Sequence, residues 1–206
     1  MMITRREVRE RRRLRSRRLR AVLAGGLVLG IGVAATLAAW NDSEYGSASF
    51  TAGKFDIVGA VDGTTFSNHA TAGTAATLNF QLAPTAMAPG NSTYALFSVK
   101  TANPSVAGTV QLIAGTPTGT GLAAHLTYGV RTIAGTTCNS TTYAAGTAVV
   151  ADGSALTAGG ATAQAVTANG ATPVNYCFAV TLPLAAPNAA QGLTMTQTWQ
   201  FLGTSS

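Results

Sequence analysis

Val174-Asn175-Tyr176-Cys177-Phe178-Ala179-Val180-Thr181-Leu182 is the stretch whose reading decides the fold. Val174, Tyr176, Phe178, Val180 and Leu182 fall on alternate positions, with Asn175, Cys177, Ala179 and Thr181 between them. Successive side chains of a strand point to opposite faces, so this period of two puts the large apolar set on one face. Most of that set is β-branched or aromatic, the types that suit a pleated surface. Pro183 and Pro187 come next; they have no N–H to give a ladder, and they end the strand.

The same period recurs outward from this stretch. Leu126, Tyr128 and Val130 alternate with Thr127, Gly129 and Arg131. Residues 108–113 place Val110 and Leu112 inward, and residues 94–101 place Ala95, Phe97 and Val99 on one face. Residues 77–82 read as a strand with Leu78, Phe80 and Leu82 inward. Residues 193–202 close the chain, with Leu193, Met195, Trp199 and Phe201 together. Residues 48–61 read as the first strand, followed by an Asp62-Gly63 turn. The Gly-, Ala- and Thr-rich segment 134–173 reads as short strands at 147–151 and 164–167. Turns at Asp152-Gly153, Gly159-Gly160 and Asn169-Gly170 separate them. No segment after residue 40 reads as a helix. Eight to ten short strands at regular spacing predict an all-β fold, an antiparallel two-sheet sandwich.

The chain has 206 residues and a formal charge of +6. Ten of its thirteen basic residues lie between Arg5 and Arg20. From Ala39 onward only Lys54, Lys100 and Arg131 oppose Asp42, Glu44, Asp56, Asp62 and Asp152, a net charge of −2. That balance, without a Lys/Arg cluster, offers no footprint for phosphates and argues against a nucleic-acid partner. Charged residues make up 10% of the chain, against about 25% in typical soluble domains. A Thr-, Ser- and Asn-rich surface of low charge suits an extracellular or assembled protein.

Residues 1–38 have the order of a secretory leader, with an Arg-rich n-region at 1–20 and an apolar h-region at 21–38. The Arg block stays in the cytoplasm and directs the downstream chain outward. Three readings compete. The apolar run is long enough for a retained transmembrane anchor, which would be the only membrane contact. Arg17-Arg18 offers a twin-arginine signal, although Arg20 stands where an apolar residue is wanted. The third reading is a cleaved signal, cut between Ala38 and Ala39 with small residues Thr36 and Ala38 at −3 and −1. Cleavage is the favoured reading. It leaves residues 39–50 as an extended N-terminal segment ahead of a sandwich domain at 51–206.

The run Leu29-Gly30-Ile31-Gly32-Val33-Ala34-Ala35-Thr36-Leu37-Ala38-Ala39-Trp40-Asn41-Asp42 is followed by Ala48-Ser49-Phe50-Thr51-Ala52-Gly53-Lys54-Phe55-Asp56-Ile57. Together they closely resemble the signal region of proteins processed by the SipW-type signal peptidase. The best known of these are the TasA/camelysin fibre proteins of biofilm matrices. Their pattern is an LGxGxxAT-like run, then A-[FW]-x-D, then F-x-[AS]-G-x-[LF]-D-[LI], and all three pieces are present in order. The resemblance is strong over about 30 residues and looser elsewhere. It implies a jelly-roll-like sandwich, a SipW-type peptidase as partner, and secretion to the cell surface or beyond. It also implies a structural role as a fibre subunit. The mechanism expected is docking of the freed segment on the next subunit through Trp40, Tyr45 and Phe50, a head-to-tail contact that propagates. The other reading of that segment is a cap on its own domain.

Little else carries chemistry. His69 and His125 are far apart in sequence, and there is no HExxH to support the proteolysis associated with camelysin-like relatives. No catalytic, metal or cofactor set is expected, and the chain does not read as an enzyme. Cys138 and Cys177 sit in no CxxC. In an oxidising compartment they would form one disulfide, worth roughly 3–4 kcal/mol on the chain-entropy model; the alternative is two buried thiols. The runner-up function is a surface-displayed adhesin or ligand-binding module that uses the loops of 134–173.

Overall fold

The computed structural model describes residues 5–36, 41–82 and 87–206, and within the first helix the side chains of 12–28. The chain divides into two units, Met1–Phe50 and Thr51–Ser206. The first contains a helix, α1 (Arg5–Thr36). Residues 41–50 continue the chain without regular secondary structure, all of them exposed. Among the described residues no helix is long and apolar enough to cross a membrane; the side chains of 29–40 lie outside them.

The second unit is all-β in its framework. Its strands are β1 (Ile57–Ala60), β2 (Ser92–Thr101), β3 (Gly108–Ala114), β4 (Thr118–Gly119) and β5 (Thr127–Ile133). After a short helix, α2 (Ser140–Ala145), come β6 (Thr147–Ser154), β7 (Gln164–Val166), β8 (Val174–Thr181), β9 (Met195–Thr196) and β10 (Trp199–Ser205). One sheet has the order β1-β2-β8-β5-β6, the other β10-β3-β7, and β4 pairs with β9 as a ribbon. Every pairing is antiparallel.

The two sheets share one core. Tyr176, Phe178 and Val130 of the larger sheet and Val110 and Leu112 of the smaller are 0–1% exposed. Phe201 stacks on Phe97 at 4.9 Å, and Trp199 meets Phe178 at 4.9 Å. Each large side chain buried this way contributes about 1.5–3 kcal/mol. The inward sets expected for 94–101, 108–113, 126–130 and 174–182 all have their apolar members on this core.

The central strand β8 is covered on both faces. Its Cys177 and Ala179 pack with Leu96, Ile133, Cys138 and Tyr143 in a second cluster on the outer side of the five-stranded sheet. Asn175 is buried there too, and its side chain accepts from the Ser98 hydroxyl opposite it at 2.6 Å. A buried amide without that partner would be costly. The cover over this face is the segment carrying α2, tied down by a disulfide between Cys138 and Cys177 with the Cα atoms 5.3 Å apart.

Five local expectations need correction. The first strand begins at Ile57 rather than at residue 48. Ahead of it, the Lys54 and Asp56 carbonyls accept from Val106 and Ala102, and Ser105 Oγ accepts from Asp56 N–H, so loop contacts replace a ladder. Residues 77–82 alternate between exposed and half-buried as expected, yet form no strand. Gln81 N–H bonds the Tyr94 carbonyl, but Leu82 bonds the Thr93 hydroxyl instead of backbone. A helix does occur after residue 40. Asn139 and Thr142 form a reciprocal capping box that starts α2 inside a stretch too poor in apolar residues to show a helical period. Finally, Asp152-Gly153 is an irregularity within β6, not a turn, and residues 193–202 are broken between β9 and β10.

Candidate functional site

A sandwich exposes four sheet edges, and unpaired N–H and C=O groups along an edge invite an added strand. Three edges here are blunted. β1 is four residues long, and its Gly59 exchanges both backbone bonds with Ser67. β7 has three residues. β6 carries a charged, bulged Asp152-Gly153, and its Val149 carbonyl is taken by Ala161 N–H.

β10 differs from all three. It is seven residues long, Trp-Gln-Phe-Leu-Gly-Thr-Ser, without charge or proline. Its register with β3 is unbroken from Trp199↔Ala114 to Ser205↔Gly108. Gly115 N–H bonds the Thr198 carbonyl and Ser206 N–H the Ala107 carbonyl. In an antiparallel pair hydrogen-bonded positions alternate, so the even-numbered residues face β3. The backbone groups of Trp199, Phe201, Gly203 and Ser205 point to the open side, and among the described residues they have no backbone partner there. Leu202, on the outer face of the strand, is 47% exposed.

The residues expected to act in export and assembly fall in the first unit. Thr36 ends α1. Ala38, Ala39 and Trp40 lie outside the described residues. Tyr45 and Phe50 are 95% and 92% exposed, which is unusual for two aromatic side chains. Cys138 and Cys177 are brought together as expected.

A second arrangement was not legible in the sequence. The Tyr143 hydroxyl donates to Asp152 Oδ1, and Arg131 bonds Asp152 Oδ2 at 2.7 Å. Arg131 also lies over the Tyr143 ring, 5.0 Å from its centroid, and donates to the Ala144 and Gly146 carbonyls at the end of α2. The Tyr143 hydrogen bond, helped by Arg131, holds the Asp152 carboxyl below the usual carboxylate range. Burial, then the hydrogen bond to Asp152 and the charge of that carboxylate, pushes the Tyr143 hydroxyl up. The three residues sit on the consecutive elements β5, α2 and β6 with no motif spacing to join them, and it is the pairing of β5 with β6 that brings them together.

No protein-family model matches the chain, and no curated protein matches it. The geometry therefore carries the functional argument. The histidines add nothing to it: His69 Nε2 is 3.1 Å from Ser67 Oγ, and His125 closes a short 3-10 turn.

Proposed function

We propose that this chain is a secreted structural protein, the subunit of an extracellular or biofilm-matrix fibre, and not an enzyme. In this reading a SipW-type signal peptidase cuts between Ala38 and Ala39. Residues 39–50 of one copy then pair with the β10 edge of the next. The observation that carries it is the β10 edge, seven residues long and, among the described residues, without charge, proline, bulge or backbone partner along its open side. The exposed aromatics Tyr45 and Phe50 support a docking role for the segment, and Trp40 joins them as a contact residue. A contact between an N-terminal segment and a different surface is heterologous, so it propagates instead of closing. The resemblance to the TasA/camelysin family supports the same role. So does the alternation of the chain between sheets from β6 through β7 and β8 to β10, as expected of a jelly-roll-like arrangement.

The test is electron microscopy of the protein recovered from the culture medium, together with its Leu202→Lys variant. Fibres are expected from the parent. The variant, with a charge beside the open edge, should stay folded and form few or none. Dispersed particles from the parent would sink the reading.

A further inference from the structure

We propose that the outer face of the five-stranded sheet holds a binding site for one neutral sugar ring. The sheet register builds its floor. Ser92 lies opposite Thr181, and Thr127 lies opposite Thr181 from the other side, so three hydroxyl residues form a row across β2, β8 and β5. Two residues along, the next row is Tyr94, Ala179 and Gly129. Ala and Gly keep the middle of that row low. Tyr143 and Asp152 also line the resulting cleft, which has a volume of ≈ 210 Å³. That is below the ~300–1,000 Å³ of drug-sized sites, so it suits a single ring.

The chemistry of the lining selects the ligand. Ser92 Oγ and Thr181 Oγ1 are 2.6 Å apart, so one hydroxyl donates to the other and the second keeps its proton for a ligand. Asp152 accepts one bond on each oxygen and retains lone pairs for a diol. Arg131 balances its charge, so neither an anion nor a cation is favoured. The half-buried Tyr94 ring, backed by the buried Tyr143 ring 5.7 Å away, offers apolar surface for the C–H face of a sugar, and the Tyr143 hydroxyl lies at the edge of the cleft. Gly129 preserves the arrangement, because any Cβ there would overlap the Tyr143 hydroxyl and the Asp152 carboxylate. The site lies on the larger sheet and β10 belongs to the smaller, so this inference does not rest on the assembly reading.

The test uses the ¹⁵N-labelled full chain in a detergent without a sugar headgroup. Glucose, galactose, mannose, N-acetylglucosamine and glucuronate are each titrated to ~10 mM, tenfold above a 1 mM dissociation constant. At least one neutral sugar should shift the amides of Thr127, Gly129, Gly153 and Thr181. A Thr127→Val, Thr181→Val double variant keeps the shape and removes two hydroxyls; it should weaken binding at least tenfold while its remaining spectrum stays that of a folded protein. Should the double variant fail to fold, Asp152→Asn takes its place with the same expected loss. No shift at these amides with any neutral sugar overturns the proposal. So does binding unchanged in the variants, or tighter binding of glucuronate.

Discussion

A methyl group on Gly129 would collide with the Tyr143 hydroxyl and the Asp152 carboxylate, both of which reach over β5 at this point. Neither can retreat cheaply, because each is the other's hydrogen-bond partner and Arg131 holds them both. Gly129→Ala should therefore lower stability by about 1–3 kcal/mol, the usual range for overpacking, measured by urea unfolding. A second consequence at this scale concerns alkaline pH. Burial raises Tyr128, Tyr143 and Tyr176 above the ordinary tyrosine value. The folded state thus holds these protons to higher pH than the unfolded chain does. The stability they lend is fully present below the unfolded value of ~10 and is lost as pH rises through the folded values. Absorbance titration should show these tyrosines ionising together with unfolding. Tyrosinate from all five tyrosines of the chain while tertiary structure persists would contradict this.

Among the elements, α2 and the disulfide act as a strap over β8. The bond joins residues 39 apart, and on the chain-entropy model a loop of that size is worth ~4 kcal/mol. A Cys138→Ala, Cys177→Ala variant should lose about that much, read from the urea midpoint, and remain folded because the inter-sheet core does not involve the strap. An unchanged midpoint would show that the strap is held by other contacts. The strap also explains what a strand pattern conveys and what it leaves out. The alternation at 174–182 correctly assigns the apolar face of β8, because that face is a local property. It reports Asn175, Cys177 and Ala179 as the weaker face, yet they are buried. Their cover arrives from residues 138–143, and no period in either segment records that meeting. Residues 77–82 make the converse point. Their alternate half-burial was legible, whereas the replacement of a ladder by the Thr93 hydroxyl depends on a partner eleven residues away.

At the scale of the whole molecule, strand order decides which strand is left as an open edge. The sequence of β10 looks like that of any half-buried strand; only its place at the end of the order β10-β3-β7 makes it an edge. The extended character of residues 41–50 was legible because it is local, while the edge on which we propose they dock was not. Pairing of this edge with residues 39–50 of another copy is the central claim. The core residues all come from the second unit, so Thr51–Ser206 should fold by itself and stay monomeric. Hydrogen exchange on that fragment, with and without a synthetic peptide of residues 39–50, tests the pairing most directly. The account predicts that the peptide slows exchange of the Trp199, Phe201 and Gly203 amides, whose N–H groups face the open side. Unchanged exchange along β10, or protection confined to another edge, would contradict it.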